Sequence, residues 1–196
     1  MALKNSLKKI YIKEHIEVIA LLKKLKFEKN EKFASLCKDA FTTLKNGKKI
    51  IFFGNGGSAA DAQHLATELT VKYKKKRKAF SAISLSTDTS AITAIGNDIG
   101  FEYIFSRQIE ALAKKGDLCI GITTSGNSKN IIEAFKTAKK MSIKAYAFSG
   151  NKGGGLIKIN KNLILIPSKN TSQIQVAEIF LGQIMCDYLE RNSNKI

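Results

Sequence analysis

Five short apolar runs, each leading through loop residues into helix-patterned sequence, restrict this chain more than any other feature. They lie at 49–53, 82–85, 118–122, 144–148 and 162–166. Strands that alternate with helices are joined by crossovers, and crossover strands form a parallel sheet covered on both faces. Two helices precede the first run. Residues 4–26 carry Leu7, Ile10, Ile12, Ile16, Val18, Ile19, Leu21 and Leu22 among lysines, a broad apolar face at helical spacing. A second helix spans 30–46 and stops at Asn46-Gly47. Further helices are expected at 59–73, 129–141 and 171–191. The expected fold is therefore α/β, a five-stranded parallel sheet flanked by helices in a three-layer, flavodoxin-like sandwich, with two N-terminal helices. The 196 residues suit a single domain, and no linker or repeat suggests a second.

In such a sheet ligands bind beyond the carboxyl ends of the strands. Two loops there are built for anions. Gly54-Asn55-Gly56-Gly57-Ser58 lets backbone N–H groups approach a ligand at a helix start. Thr123-Thr124-Ser125-Gly126-Asn127-Ser128 is rich in hydroxyl donors and also precedes a helix. GNGGSA satisfies the dinucleotide pattern GxGxxA. The acidic residue that such a site wants about 20 positions later is absent, however, and that region is Lys74–Lys78. No triphosphate P-loop motif occurs. A glycine turn made only for packing, and helix-capping hydroxyls, are the plainer alternatives for the two loops.

His64 and Glu68 lie four apart and share a helix face just after the first loop. The spacing suits a metal pair, with Glu68 also placed as a proton-transferring base. An ordinary surface pair is the alternative. The other histidine, His15, has no convergent partner and is read as structural.

Charge narrows the partners. Thirty-three Lys and Arg against 16 Asp and Glu give +17, which predicts attraction to anions. Yet residues 50–71 hold two acidic and no basic side chains, so the surplus does not sit in the first candidate loop or beside Glu68. Six of the seven residues 72–78 are Lys or Arg, with Tyr73 the one aromatic. Stacking on nucleic acid is scarcely supported there; the run reads as a solvated helix end and loop, and nucleic acid is not the expected partner. Cys37, Cys119 and Cys186 are odd in number and form no CxxC, which favours a reducing cytoplasm. No apolar run approaches the ~18 residues of a membrane span, and Glu14 and Glu17 interrupt any secretory leader. A cytoplasmic protein is expected.

GNGGSAADAQH at 54–64, TDTSAITAIGND at 87–98, FSRQIEAL at 105–112 and GITTSGNSKNI at 121–131 together resemble the phosphoheptose isomerase family of sugar isomerase (SIS) domain proteins. The resemblance runs over nearly the whole chain. It implies a single SIS domain over 1–196, with 1–47 as a helical extension packed in a homotetramer whose sites lie between subunits. The implied reaction converts sedoheptulose 7-phosphate to glycero-manno-heptose 7-phosphate for bacterial heptose, as in lipopolysaccharide. Asn55, Gly56, Gly57 and Ser58 match the substrate loop, Asn97 and Asp98 a second contact, and Thr123, Thr124, Ser125 and Ser128 the phosphate-side hydroxyls. His64 and Glu68 match zinc ligands, and Glu68 also the catalytic carboxylate. Gln175 matches a further zinc and substrate contact.

The last helix departs from the family pattern. Glu178 and Gln183 stand where the family has two histidines, and the second of these is a zinc ligand and the acid/base partner of the glutamate. An amide cannot shuttle a proton as imidazole does, and it is a poorer zinc ligand. Glu178 shares a helix face with Gln175 and is a candidate substitute carboxylate. A non-catalytic relative, the replication initiator-associating protein, shares the overall pattern. The readings left open are the isomerase, an isomerase of another sugar phosphate, and a regulator without catalysis.

Overall fold

In the computed structural model, which describes residues 2–196, the elements follow the expected alternation. Helices α1 (Ala2–Lys24) and α2 (Glu31–Lys45) lead into β1 (Ile50–Gly54) and α3 (Gly57–Thr70). Next come β2 (Ala82–Ser84), α4 (Thr89–Asp98) and α5 (Ser106–Leu112). Then β3 (Leu118–Thr123), α6 (Lys129–Lys140), β4 (Lys144–Gly150), β5 (Leu163–Ile166) and α7 (Thr171–Arg191) complete the chain's main elements. The five strands pair in parallel in the order β2-β1-β3-β4-β5.

The central strands β1 and β3 are buried on both faces, so their side chains alternate between two apolar layers rather than between core and water. Ile50, Phe52, Leu118, Ile120 and Phe148 meet α2, α3 and α7. Ile51, Phe53, Cys119 and Ala147 meet α5 and α6. Gly121 belongs to the second layer because a Cβ there would press on the rings of Phe135 and Phe53. Helix caps are supplied locally. Asn30 accepts from Phe33 N–H at the start of α2, and Asp88 accepts from Ala91 N–H at 2.9 Å at the start of α4.

The two leading helices differ. Phe33, Leu36, Cys37, Ala40 and Leu44 bury α2 in the domain's own core. On α1, Leu21 is buried, whereas Leu3, Leu7, Ile10, Tyr11 and Ile16 are exposed. His15 is exposed too, with its ring 6.0 Å from that of Tyr11. All three cysteines are free and buried. Among the described residues no helix is long and apolar enough to cross a membrane.

Helix α3 stops at Thr70, short of the expected Tyr73. The backbone of 73–75 leaves the helix because its N–H groups bond to the Glu190 carboxylate. The run 72–78 is thus not simply a solvated loop. Its lysine side chains are exposed, but its main chain is fastened to α7.

Candidate active site

The strand order changes direction between β1 and β3, and the two candidate loops leave the sheet at that crevice. After β1, Gly56 adopts φ +55°, in the left-handed region that favours glycine, and α3 begins at Gly57 with no side chain capping it. After β3, Gly126 adopts φ +66°, and the loop closes on itself. Thr123 Oγ1 accepts from Gly126 N–H at 3.3 Å, and Ser125 Oγ from Asn127 N–H at 3.1 Å. Asn127 Oδ1 also accepts from Gly155 N–H at 2.7 Å, tying the loop to the turn at 153–156. Ser128 sits at the N-cap of α6, but its side chain caps none of the free N–H groups there. Thr123 is buried; Thr124 and Ser128 are half-buried, and Ser125 is exposed.

The first loop is joined to the start of α6 by a contact that the sequence does not advertise. Asn55 and Asn130 exchange amide hydrogen bonds, Asn55 Nδ2 to Asn130 Oδ1 at 2.8 Å and Asn130 Nδ2 to Asn55 Oδ1 at 2.9 Å. Asn130 is buried in the first turn of α6. Ser86 Oγ adds a bond to Gly54 C=O at 3.1 Å. Ser58 is buried within the first turn of α3.

Along α3 the pair expected to do chemistry is formed. His64 Nε2 lies 2.9 Å from Glu68 Oε1, with the imidazole the more exposed of the two. Helix α7 packs on α3 beside them. Its Gln175 amide lies over Gly57, where any Cβ would collide with it. Gly182 likewise allows contact with Leu65, whose Cδ1 would lie 2.6 Å from an added Cβ.

Between these two close approaches Glu178 is turned inward. It is 1% exposed, and neither carboxylate oxygen has a hydrogen-bond partner. Burial, followed by the charge of Asp61, pushes its carboxyl up to about 8. Asp61, on α3, is also raised by burial, with His64 partly offsetting it, and its Oδ2 is unpartnered. Glu178 therefore lies buried in the helix seam, close enough to Asp61 to feel its charge but bonded to nothing.

The remaining candidates make no hydrogen bond to that pair among the described residues. Gln183 is half-buried on α7 with no side-chain bond to His64 or Glu68 among the described residues. Asn97 and Asp98 end α4, where Asn97 Nδ2 donates to Asp98 Oδ1 at 2.7 Å. A cleft of about 380 Å³ between α4 and α5 reaches Asp98 but none of the other candidates.

No group of three or more His, Cys, Asp or Glu side chains among the described residues is placed to hold a metal. His64 and Glu68 supply two donors, and a zinc site takes three or four. Within one chain the donors do not close such a site.

A parallel sheet of this order, with glycine and hydroxyl loops at its switch point and a carboxylate–imidazole pair on the first crossover helix, defines a doubly wound α/β protein with a ligand crevice at that switch point. The SIS domain model matches residues 14–150, and the chain belongs to the SIS domain family. Within it, the chain is 53% identical over 155 residues to the phosphoheptose isomerase of Campylobacter concisus, covering 79% of this chain and 82% of that one. It is 46% identical over 179 residues to that of Paramagnetospirillum magneticum, covering 91% and 92%. The solved phosphoheptose isomerase of Neisseria gonorrhoeae superposes with a TM-score of 0.87 at 38% identity, over 94% of this chain and 99% of that one. That of Francisella tularensis gives 0.86 at 33% identity, over 95% and 98%.

Proposed function

We propose that this chain is a phosphoheptose isomerase acting on sedoheptulose 7-phosphate. The observation that carries the reading is the His64–Glu68 pair at 2.9 Å on the helix that leaves the first switch-point loop, in a chain about half identical to enzymes of that name. Of the readings the sequence left open, the enzymatic one is the one these relatives support.

Aldose–ketose isomerisation moves a proton between C1 and C2 through an enediol. Glu68 takes the proton from C1 of the ketose and returns it to C2. A second proton must pass between O2 and O1. An imidazole can both give and accept a proton, a role open to neither the Gln175 nor the Gln183 amide, and His64 is the imidazole next to Glu68. The phosphate is held by the uncapped first turn of α6 and the hydroxyls of Thr124, Ser125 and Ser128, where N–H groups favour negative charge. Asn55, Gly56 and Gly57 bring backbone to the sugar, and Gln175 reaches over that loop. Holding both ends of the substrate supplies the positioning term of the rate.

A homotetramer is proposed on the exposed apolar side chains of α1 and on a stripe at fourfold spacing along α7, namely Val176, Phe180, Ile184 and Tyr188. In this assembly the sites lie between subunits, and Asn97, Asp98 and Gln183 join a neighbour's site. Zinc is proposed on the donor chemistry of His64 and Glu68, with the remaining ligands drawn from amides or from a second copy, and no step above depends on it. Cytoplasmic heptose synthesis for bacterial surface polysaccharide is proposed with that substrate.

The test is formation of the aldose 7-phosphate by the purified protein. Glu68→Gln should lower kcat by about 10²–10⁴. Absence of turnover with or without added zinc, or full activity in the variant, overturns the assignment. Light scattering that gives a monomer would refute the tetramer, and metal analysis without stoichiometric zinc would refute the metal.

A further inference from the structure

The basic run 72–78 has no part in the chemistry above, yet its main chain is built into the molecule. The Glu190 carboxylate on α7 accepts the N–H groups of Tyr73 at 3.2 Å, Lys74 at 2.8 Å and Lys75 at 2.7 Å. Glu190 is buried, and its pKa is held below the usual range. Burial alone would raise it, but the three N–H groups and the Arg77 charge outweigh that. With the loop so fastened, Arg77 turns back under α3. Its Nη2 donates to the backbone carbonyl of Glu68 at 2.7 Å, and its Nη1 to those of Leu69 and Lys78 at 2.9 Å each. The guanidinium lies 3.9 Å from the centroid of the Phe80 ring.

A helix leaves its last four carbonyls without intrahelical partners and carries partial negative charge at that end. Glu68 and Leu69 lie within the last three residues of α3, which ends at Thr70. Arg77 supplies both a positive charge and a planar fork of donors there, a geometry that lysine does not reproduce. The carbonyl it grips at the shortest distance belongs to the residue that carries the reacting carboxylate.

We propose that Arg77, anchored through the Glu190 strap, is the positioning residue for Glu68, fixing where its carboxylate stands against C1 and C2 of the sugar. This rests on the reading of Glu68 as the base. Arg77 does not touch substrate. It acts through the backbone of Glu68, so its loss acts on the chemical step and not on phosphate binding. A misplacement of about 1 Å in a reacting group can cost about 100-fold in rate.

The experiment compares Arg77→Ala, Arg77→Lys and Glu190→Gln with the parent for kcat, KM and Tm. Arg77→Ala should lower kcat by about 10- to 100-fold with KM within about twofold. Arg77→Lys should recover little of the loss, and millimolar guanidinium ion should restore part of it in the alanine variant. Leu44→Ala, in the core under α2, serves as a stability control that lowers Tm while keeping kcat. An Arg77→Ala protein with parental kcat and a lower Tm shows a merely structural residue and overturns the proposal, as does a rise in KM at constant kcat. If that variant does not fold, Glu190→Gln decides the matter, since an unchanged kcat there also refutes the strap. Activity surviving in Glu68→Gln is a separate failure, that of the base itself.

Discussion

Replacing Glu178 with glutamine removes a proton-binding group from the α3–α7 seam while keeping its size. Glu178 is 1% exposed, and no hydrogen bond reaches either oxygen. Burial, then the neighbouring charge of Asp61, moves its pKa from 4.5 to about 8. The unfolded chain therefore releases this proton near pH 4.5 and the folded chain near pH 8. Between those values the folded state binds more protons, so stability falls as pH rises, and the contribution is intact only below about pH 4.5. At about 1.36 kcal/mol per unit, the loss reaches about 3 kcal/mol at pH 7 and about 4–5 kcal/mol above pH 8. Glutamine carries no such penalty. Urea unfolding of both proteins at pH 5, 6, 7 and 8 should give similar free energies at pH 5. At pH 7 the variant should be ahead by about 3 kcal/mol, or about 6–12 °C in Tm. Parallel curves across that range, or a variant weaker at every pH, would show that the Glu178 carboxylate is compensated in the folded protein and would refute the argument.

Two other substitutions probe the packing around the site. Gly182→Ala forces a methyl group against Leu65 between two rigid helices, and overpacking of that kind should cost about 1–3 kcal/mol, read as a lower urea midpoint with unchanged slope. Asn130→Ala deletes the reciprocal amide pair with Asn55; it should lower stability by about 1–2 kcal/mol and raise KM, because the loop after β1, the proposed sugar contact, loses its tie to the start of α6. A KM equal to the parent's would show that the loop keeps its shape without that tie.

The strands were legible because each is a short apolar run closed by glycine, hydroxyl residues or, after Ile166, Pro167, and such runs have few places to go but a covered parallel sheet. The His64–Glu68 pair was legible because helical spacing alone puts the two on one face. What could not be read depends on contacts across the crossovers. Asn130 looks like an ordinary first-turn residue until β3 is placed beside β1 and its amide meets that of Asn55. Glu190 looks like a surface acid near a helix end, and only the fold shows three backbone N–H groups converging on it. Glu178 has the spacing of a substitute carboxylate near Gln175, but spacing cannot say which side of α7 is pressed against α3. Gly57 and Gly182 report close helix contact only once the partner atoms are known.

The register of the central strand also sets an order of events during synthesis. β1 pairs on one side with β2, Ile50 opposite Ala82, and on the other with β3, Ile50 opposite Leu118. At about 5–20 residues per second, roughly 3–14 seconds of translation separate Ile50 from Leu118, its partner on the β3 side. Until β3 emerges from the ribosome, the Ile-Ile-Phe-Phe strand has at most one neighbour and an open edge. An unpaired apolar edge of this kind invites mispairing with other chains. Among the three inner strands, the one that leads into the candidate substrate loop thus waits longest for its second neighbour while the chain is being made.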